Sequence, residues 1–200
     1  MSTILRIDSS IFGGNGNSNT LTAELSERLA QQLGNNESEA KIVHRDFSTS
    51  PIPHFDAGTV QAVGEGKAEL ADVLIEEIQA ADAVVIGAPM YNFTIPSQLK
   101  AWLDHIARAR VTFQYGANGP EGLLTGKQVY VVTTRGGAYK DSAADTMVPY
   151  LKVMLGFLGL DDNLQFIYAE QLASADHKEG SMDSARSAIK AAVYLEGAEA

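Results

Sequence analysis

Three short stretches of this 200-residue chain carry groups that could do chemistry. The first runs Ser9-Ser10-Ile11-Phe12-Gly13-Gly14-Asn15-Gly16-Asn17-Ser18-Asn19, with Ser10, Gly16, Asn17 and Ser18 just ahead of a helical pattern. A helix start offers free N–H groups and the positive end of a dipole, so an anion is favoured there. No Lys or Arg occurs between Ser9 and Thr22, and the G-x-x-x-x-G-K-[ST] pattern of triphosphate sites is absent. A single phosphate monoester held by neutral donors suits this loop; an ordinary Ser/Asn helix cap is the plainer alternative. Gly14-x-Gly16 begins a dinucleotide fingerprint, but Asn19 stands where the third glycine belongs.

The second stretch, Met90-Tyr91-Asn92-Phe93, lies between Pro89 and Pro96 and follows an apolar run. Met, Tyr and Phe suit the face of a flat, polarizable ring, and the Asn92 amide can donate and accept at its polar edge. The same aromatics could instead fill a subunit or helix–sheet contact. The third stretch is Thr133-Thr134-Arg135-Gly136-Gly137. Paired glycines let backbone N–H groups approach a ligand closely, or simply permit a turn. Arg135 either sets positive charge beside a reduced ring or pairs with an acid, and the second is the simpler role.

Positioning these stretches takes an ordered scaffold. Apolar runs at residues 3–8, 41–47, 83–87, 128–133 and 164–169 read as strands. Helical spacing covers residues 19–33, closed by Gly34-Asn35-Asn36, then 69–80, 97–108, 142–158 and 181–195. Residues 48–66 and 114–126 are rich in Gly and Pro and read as irregular connections. Strand and helix alternate five times, which predicts an α/β three-layer sandwich with a parallel five-stranded sheet. Right-handed crossovers and this length favour the flavodoxin-like order 2-1-3-4-5 in one domain, residues 1–200. Its switch point lies between the first and third strands, where the first two stretches leave the carboxyl edge, with the third next door.

Composition narrows the function classes. Net charge is −10 and no basic cluster exists, which argues against nucleic acid. The absence of cysteine removes disulfides, thiol chemistry and iron–sulfur clusters. His44, His54, His105 and His177 form no metal-binding spacing, so no metal is expected. Hydrophobic content of 45% without any long apolar run indicates a soluble protein with no membrane span. The N-terminus lacks a signal peptide pattern, and a cytoplasmic location is expected.

The blocks Pro89-Met90-Tyr91-Asn92-Phe93, Thr134-Arg135-Gly136-Gly137, Asn118 to Lys127 (NGPEGLLTGK), Pro149-Tyr150-Leu151 and Leu155 to Gly159 (LGFLG) occur in this order. Together with Ser9-Ser10 and Phe166 to Glu170 (FIYAE), they make the chain resemble the bacterial FMN-dependent NADH:azoreductase family, which also reduces quinones. The resemblance spans nearly the whole chain. It implies a homodimer with FMN near the subunit interface, NADH as co-substrate (NADPH being possible) and a ping-pong exchange with a quinone or azo compound. Carried over by position, Ser10, Gly16, Asn17 and Ser18 would hold the FMN phosphate. Met90, Tyr91, Asn92 and Phe93 would flank the isoalloxazine, and Thr134, Arg135, Gly136 and Gly137 would contact its pyrimidine side. No protein side chain is implied as catalytic, because the flavin carries the hydride. Tyr115, Tyr139 and Phe157 would edge the substrate pocket, with Tyr115 and Phe157 near the partner's flavin. Two departures stand out: Gly16-Asn17-Ser18 replaces a common Ser-Gln-Ser, and Tyr139 occupies a position where some relatives have His.

Two other readings compete with an enzyme. A flavodoxin-type carrier would bind FMN without turning over NADH, but has little use for the long segments 48–66 and 111–126. A flavin-free interaction protein would leave the three ligand-like loops unexplained.

Overall fold

The computed structural model describes residues 1–34, 40–117 and 119–193. In chain order its strands are β1 (Thr3–Asp8), β2 (Lys41–Asp46), β3 (Ala83–Pro89), β4 (Phe113–Gly116), β5 (Gly119–Gly122), β6 (Gln128–Thr134) and β7 (Asn163–Ala169). Its helices are α1 (Asn17–Leu33), α2 (Ala57–Gly64), α3 (Glu69–Ala80), α4 (Ser97–Ile106), α5 (Met147–Leu158) and α6 (Ala175–Ala192).

The main sheet has the order β2-β1-β3-β6-β7, all parallel. With the β4–β5 hairpin set aside, this is the 2-1-3-4-5 order expected from the sequence. Alternation along the strands explains the layers. Leu5 and Ile7 of β1, Val84 and Ile86 of β3, and Val129 and Val131 of β6 share one core with α3, α4 and α5. Ile4, Val85 and Val132 point the other way, into a second core with Leu21, Leu25 and Leu29 of α1 and with α6. Every residue of β3 is buried, as a central strand covered on both faces requires. Each fully buried Leu of α1 contributes about 1.5–3 kcal/mol, which fixes the helix that begins at the first chemical loop.

Several elements differ from the sequence reading. α1 begins at Asn17, two residues before the expected start at 19, and α6 begins at Ala175, six residues before the expected start at 181. The described part of α6 ends before Leu195, and the Asn35-Asn36 cap lies outside the described residues. The segment 48–66 is not wholly irregular: α2 sits in it, capped by Asp56 Oδ1, which accepts from the Thr59 N–H at 2.8 Å. No residue of α2 is buried, so no apolar period revealed it. The segment 114–126 is not wholly irregular either: β4 and β5 pair antiparallel in it as far as Gly122. Its Gly122 packs directly on the end of α5, where an added Cβ would overlap the Leu158–Gly159 backbone, and Gly159 itself holds φ +81°. Finally, α5 starts only at Met147, and the preceding residues are an ordered turn region.

Candidate functional site

The carboxyl ends of β1, β3 and β6 lie side by side, and the three loops predicted to carry chemistry leave them there. The first loop turns through a short 3₁₀ segment, Gly13–Asn15, before α1. Gly16 caps α1 with no side-chain hydrogen bond, and the first backbone bond of the helix runs from the Thr20 N–H to the Gly16 carbonyl. The N–H groups of Asn17, Ser18 and Asn19 therefore have no partner among the described residues. A helix of 17 residues thus opens bare donors onto the cleft.

Close packing shapes this end. A Cβ on Gly16 would stand 2.7 Å from the Ser10 Cβ and closer still to its Oγ. Ser10 Oγ accepts from the Phe12 N–H at 3.2 Å and lies 3.3 Å from the Tyr91 hydroxyl, which also accepts from the Ile11 N–H at 3.3 Å. Tyr91 thereby ties the first loop to the second.

The second loop is a tight reversal. Tyr91 and Thr94 exchange backbone hydrogen bonds at 3.0 and 3.1 Å, and between them Asn92 and Phe93 both adopt positive φ, 49° and 69°. Two left-handed residues in a row are the pattern of a type I′ turn, where glycine usually follows Asn. Phe in that place costs about 1–2 kcal/mol. The Phe93 carbonyl accepts from Thr146 Oγ1 at 2.6 Å, and its ring meets Tyr139 edge-on with centroids 5.7 Å apart.

The third loop is held from below. Arg135 is fully buried; its Nη2 lies 2.9 Å from Asp145 and its Nη1 3.4 Å from Glu170. Glu170 Oε1 also accepts from the N–H groups of Tyr139 and Lys140, both at 2.7 Å. Arg135 therefore takes the acid-pairing role, and only its backbone can face a ligand. The Gly136 and Gly137 carbonyls accept from Ala173 and Gln171, whereas their N–H groups have no partner among the described residues.

These loops enclose two adjoining chambers. One, of about 220 Å³, is lined by Ser10, Gly16, Asn17 and Ser18 on one wall and by Met90, Tyr91, Thr134, Arg135 and Gly136 on the others. The second, of about 430 Å³, is lined by Asn92, Phe93, Gly137 and Tyr139. Met90, Gly136 and Ala173 border both, so the chambers form one groove. Leu172 and Ala173, after β7, complete it. Sequence reasoning passed over them because they are neither polar nor glycine; only their place at the carboxyl edge could have flagged them. Tyr115 and Phe157 are not brought to this groove. Tyr115 is 76% exposed on the hairpin, and Phe157 packs on Phe113 at 4.3 Å between ring centroids.

A model of the flavodoxin-like fold matches residues 2–193. A protein from Saccharophagus degradans named FMN-dependent NADH:quinone oxidoreductase is 50% identical over 200 residues, covering 98% of this chain and 95% of its own.

The chain belongs to the flavodoxin-like family that contains these oxidoreductases.

A second family member with the same name, from Cellvibrio japonicus, is 48% identical and covers 95% of this chain and 98% of its own. Among solved structures, an FMN-dependent NADH-azoreductase from Bacillus anthracis in complex with FMN is 26% identical, with a TM-score of 0.82 over 96% of this chain and 98% of its own. The family explains why the groove lies at the switch point of the sheet, the usual ligand position in such folds. Among the described residues, no helix is long and apolar enough to cross a membrane.

Proposed function

We propose that this protein is an FMN-dependent NADH:quinone oxidoreductase that binds FMN in the two-chambered groove. The donor set carries the reading. The smaller chamber offers unpartnered N–H groups at the start of α1, and its one cationic lining residue, Arg135, has its side chain buried and paired with Asp145, which matches one phosphate monoester. The larger chamber offers Phe93 and Tyr139 beside the free N–H groups of Gly136 and Gly137, which matches a ring with one apolar face and one polar edge.

Ser10, Gly16, Asn17 and Ser18 hold the phosphate. Met90, Tyr91, Asn92 and Phe93 border the ring system, and Thr134, Arg135, Gly136 and Gly137 line its polar edge, Arg135 through its backbone. FMN, when bound, supplies the two-electron chemistry between NADH and the acceptor. The Gly136 and Gly137 N–H groups would donate to the polar edge of the ring, since fixed donors in a sheltered groove need no reorganisation. Phe93 and Tyr139 stack the nicotinamide and then the acceptor in the same place, so the two follow one another in ping-pong order. One cycle sums to NADH + H⁺ + quinone → NAD⁺ + hydroquinone. Flat aromatic azo compounds fit the same stacking place. The exposed apolar residues Tyr115, Val153, Ile11 and Phe12 support a homodimer in which Tyr115 and Phe157 border the partner's ring chamber. A cytoplasmic location accords with dependence on NADH.

Anaerobic titration tests the activity. NADH bleaches the yellow FMN-loaded protein, and added quinone restores the colour. A protein that binds FMN but keeps its colour with NADH is a carrier of the flavodoxin type, and the enzymatic reading is then wrong.

A further inference from the structure

Below the first loop lies a charged side chain that the groove does not expose. Asp8 ends β1 and has no accessible surface. Its Oδ1 accepts from Thr22 Oγ1 at 2.5 Å. Its Oδ2 lies 2.6 Å from Arg6 Nη2 and 2.8 Å from His44 Nε2. The same Arg6 nitrogen donates to the Asn19 carbonyl at 2.9 Å, and Thr22 Oγ1 lies 3.1 Å from that carbonyl. Across the sheet, Gly87 makes the approach possible: a Cβ there would stand 3.2 Å from Thr22 Cγ2 and 3.3 Å from Asp8 Oδ1.

A buried carboxylate is tolerated only when paired and hydrogen-bonded, and such a pair is a weak source of stability. What the cluster does is geometric. It joins three elements at one point: β1 through Arg6 and Asp8, β2 through His44, and the first turns of α1 through Asn19 and Thr22. The N–H groups left free at Asn17, Ser18 and Asn19 belong to that clamped turn. Their direction is set by a helix start that has no side-chain cap of its own.

We propose that Asp8 and Thr22 are positioning residues for the phosphate end of the groove: they fix the first turns of α1 so that its bare N–H groups converge on one anion. Neither touches the ligand. The Arg6 guanidinium compensates the Asp8 charge, which would otherwise oppose an anion, and His44 Nε2 lies within hydrogen-bond distance of the same oxygen. This inference rests on the FMN reading.

The experiment compares the affinities of FMN and riboflavin, which differ only by the phosphate, for flavin-free protein by fluorescence quenching. Thr22→Val keeps the side-chain shape and removes the hydroxyl; Thr22→Ser keeps the hydroxyl; Asp8→Asn keeps the shape and removes the charge. FMN affinity falls about tenfold in Thr22→Val, the loss of one hydrogen bond to a charged group. Riboflavin affinity stays within about twofold, and Thr22→Ser restores FMN binding. Asp8→Asn follows Thr22→Val. If FMN and riboflavin weaken together, or neither changes in Thr22→Val, the positioning role is wrong. If the unaltered protein binds neither flavin, the FMN reading itself fails, a separate result. Thr22→Val decides the matter should Asp8→Asn not fold.

Discussion

Gly16 and Ser10 touch so closely that position 16 has no room for a side chain. A Cβ there would lie 2.7 Å from the Ser10 Cβ, which no rotamer of Ser10 can move, and 3.2 Å from the Gly13 carbonyl. A serine at this position, as the wider family resemblance suggests, demands a different course of the first loop. On the proposed reading, backbone N–H groups of α1 take the place of that hydroxyl. Gly16→Ser should lower FMN affinity by at least about tenfold, because the loop must shift before the helix start can meet the phosphate. Fluorescence titration of the flavin-free variant measures it.

The Asn92-Phe93 turn sets stability against function. Asn-Gly is the favoured pair for two successive left-handed residues, and Phe93 departs from it. Phe93→Gly should raise unfolding free energy by about 1 kcal/mol through relief of backbone strain. It should also raise KM for the acceptor, since the ring that meets Tyr139 is lost. Urea denaturation and steady-state kinetics on the same preparation read the two effects, and a variant that gains neither contradicts the strained-turn account.

Arg135 anchors the third loop through Asp145 and Glu170, and its side chain has no exposed surface. Arg135→Ala leaves Asp145, itself nearly buried, without its cation. A loss of about 3–5 kcal/mol in unfolding free energy is expected, as for other broken buried pairs. Chemical denaturation of the flavin-free protein separates this from any loss of cofactor.

Tyr150 gives the pH dependence a sign. Burial, followed by the nearby Asp104 carboxylate, pushes its phenol up from 10.0 to about 12. The folded chain keeps the proton where the unfolded chain releases it, so this contribution is intact below pH 10 and is lost as pH rises towards 12. Its hydroxyl has no hydrogen-bond partner among the described residues. Tyr150→Phe should therefore match or exceed the parent in stability at neutral pH and lose less of it above pH 10. Thermal midpoints across that range check it.

Much of this architecture was legible in residue order because its signals are periodic. Leu21, Leu25 and Leu29 marked α1, and the unbroken apolar run from Ala83 marked a central strand. Once the strands were placed, parallel topology brought Ser10, Met90 and Gly136 to one edge without any knowledge of a contact. What escaped lacked a period. α2 buries nothing, the β4–β5 hairpin is short and rich in Gly and Pro, and α6 passes through an exposed glycine. The Asp8 cluster was equally hidden: Arg6, Asp8, Thr22 and His44 lie on three elements, and only parallel pairing in register sets Asp8 beside β2.

Direct titration decides whether the groove takes FMN. Flavin-free protein titrated with FMN should quench its fluorescence to saturation at one FMN per chain, turn yellow, and lose most of that affinity in Gly16→Ser. Protein that stays colourless in excess FMN, or binds it equally well with a side chain at position 16, would contradict the assignment of this groove.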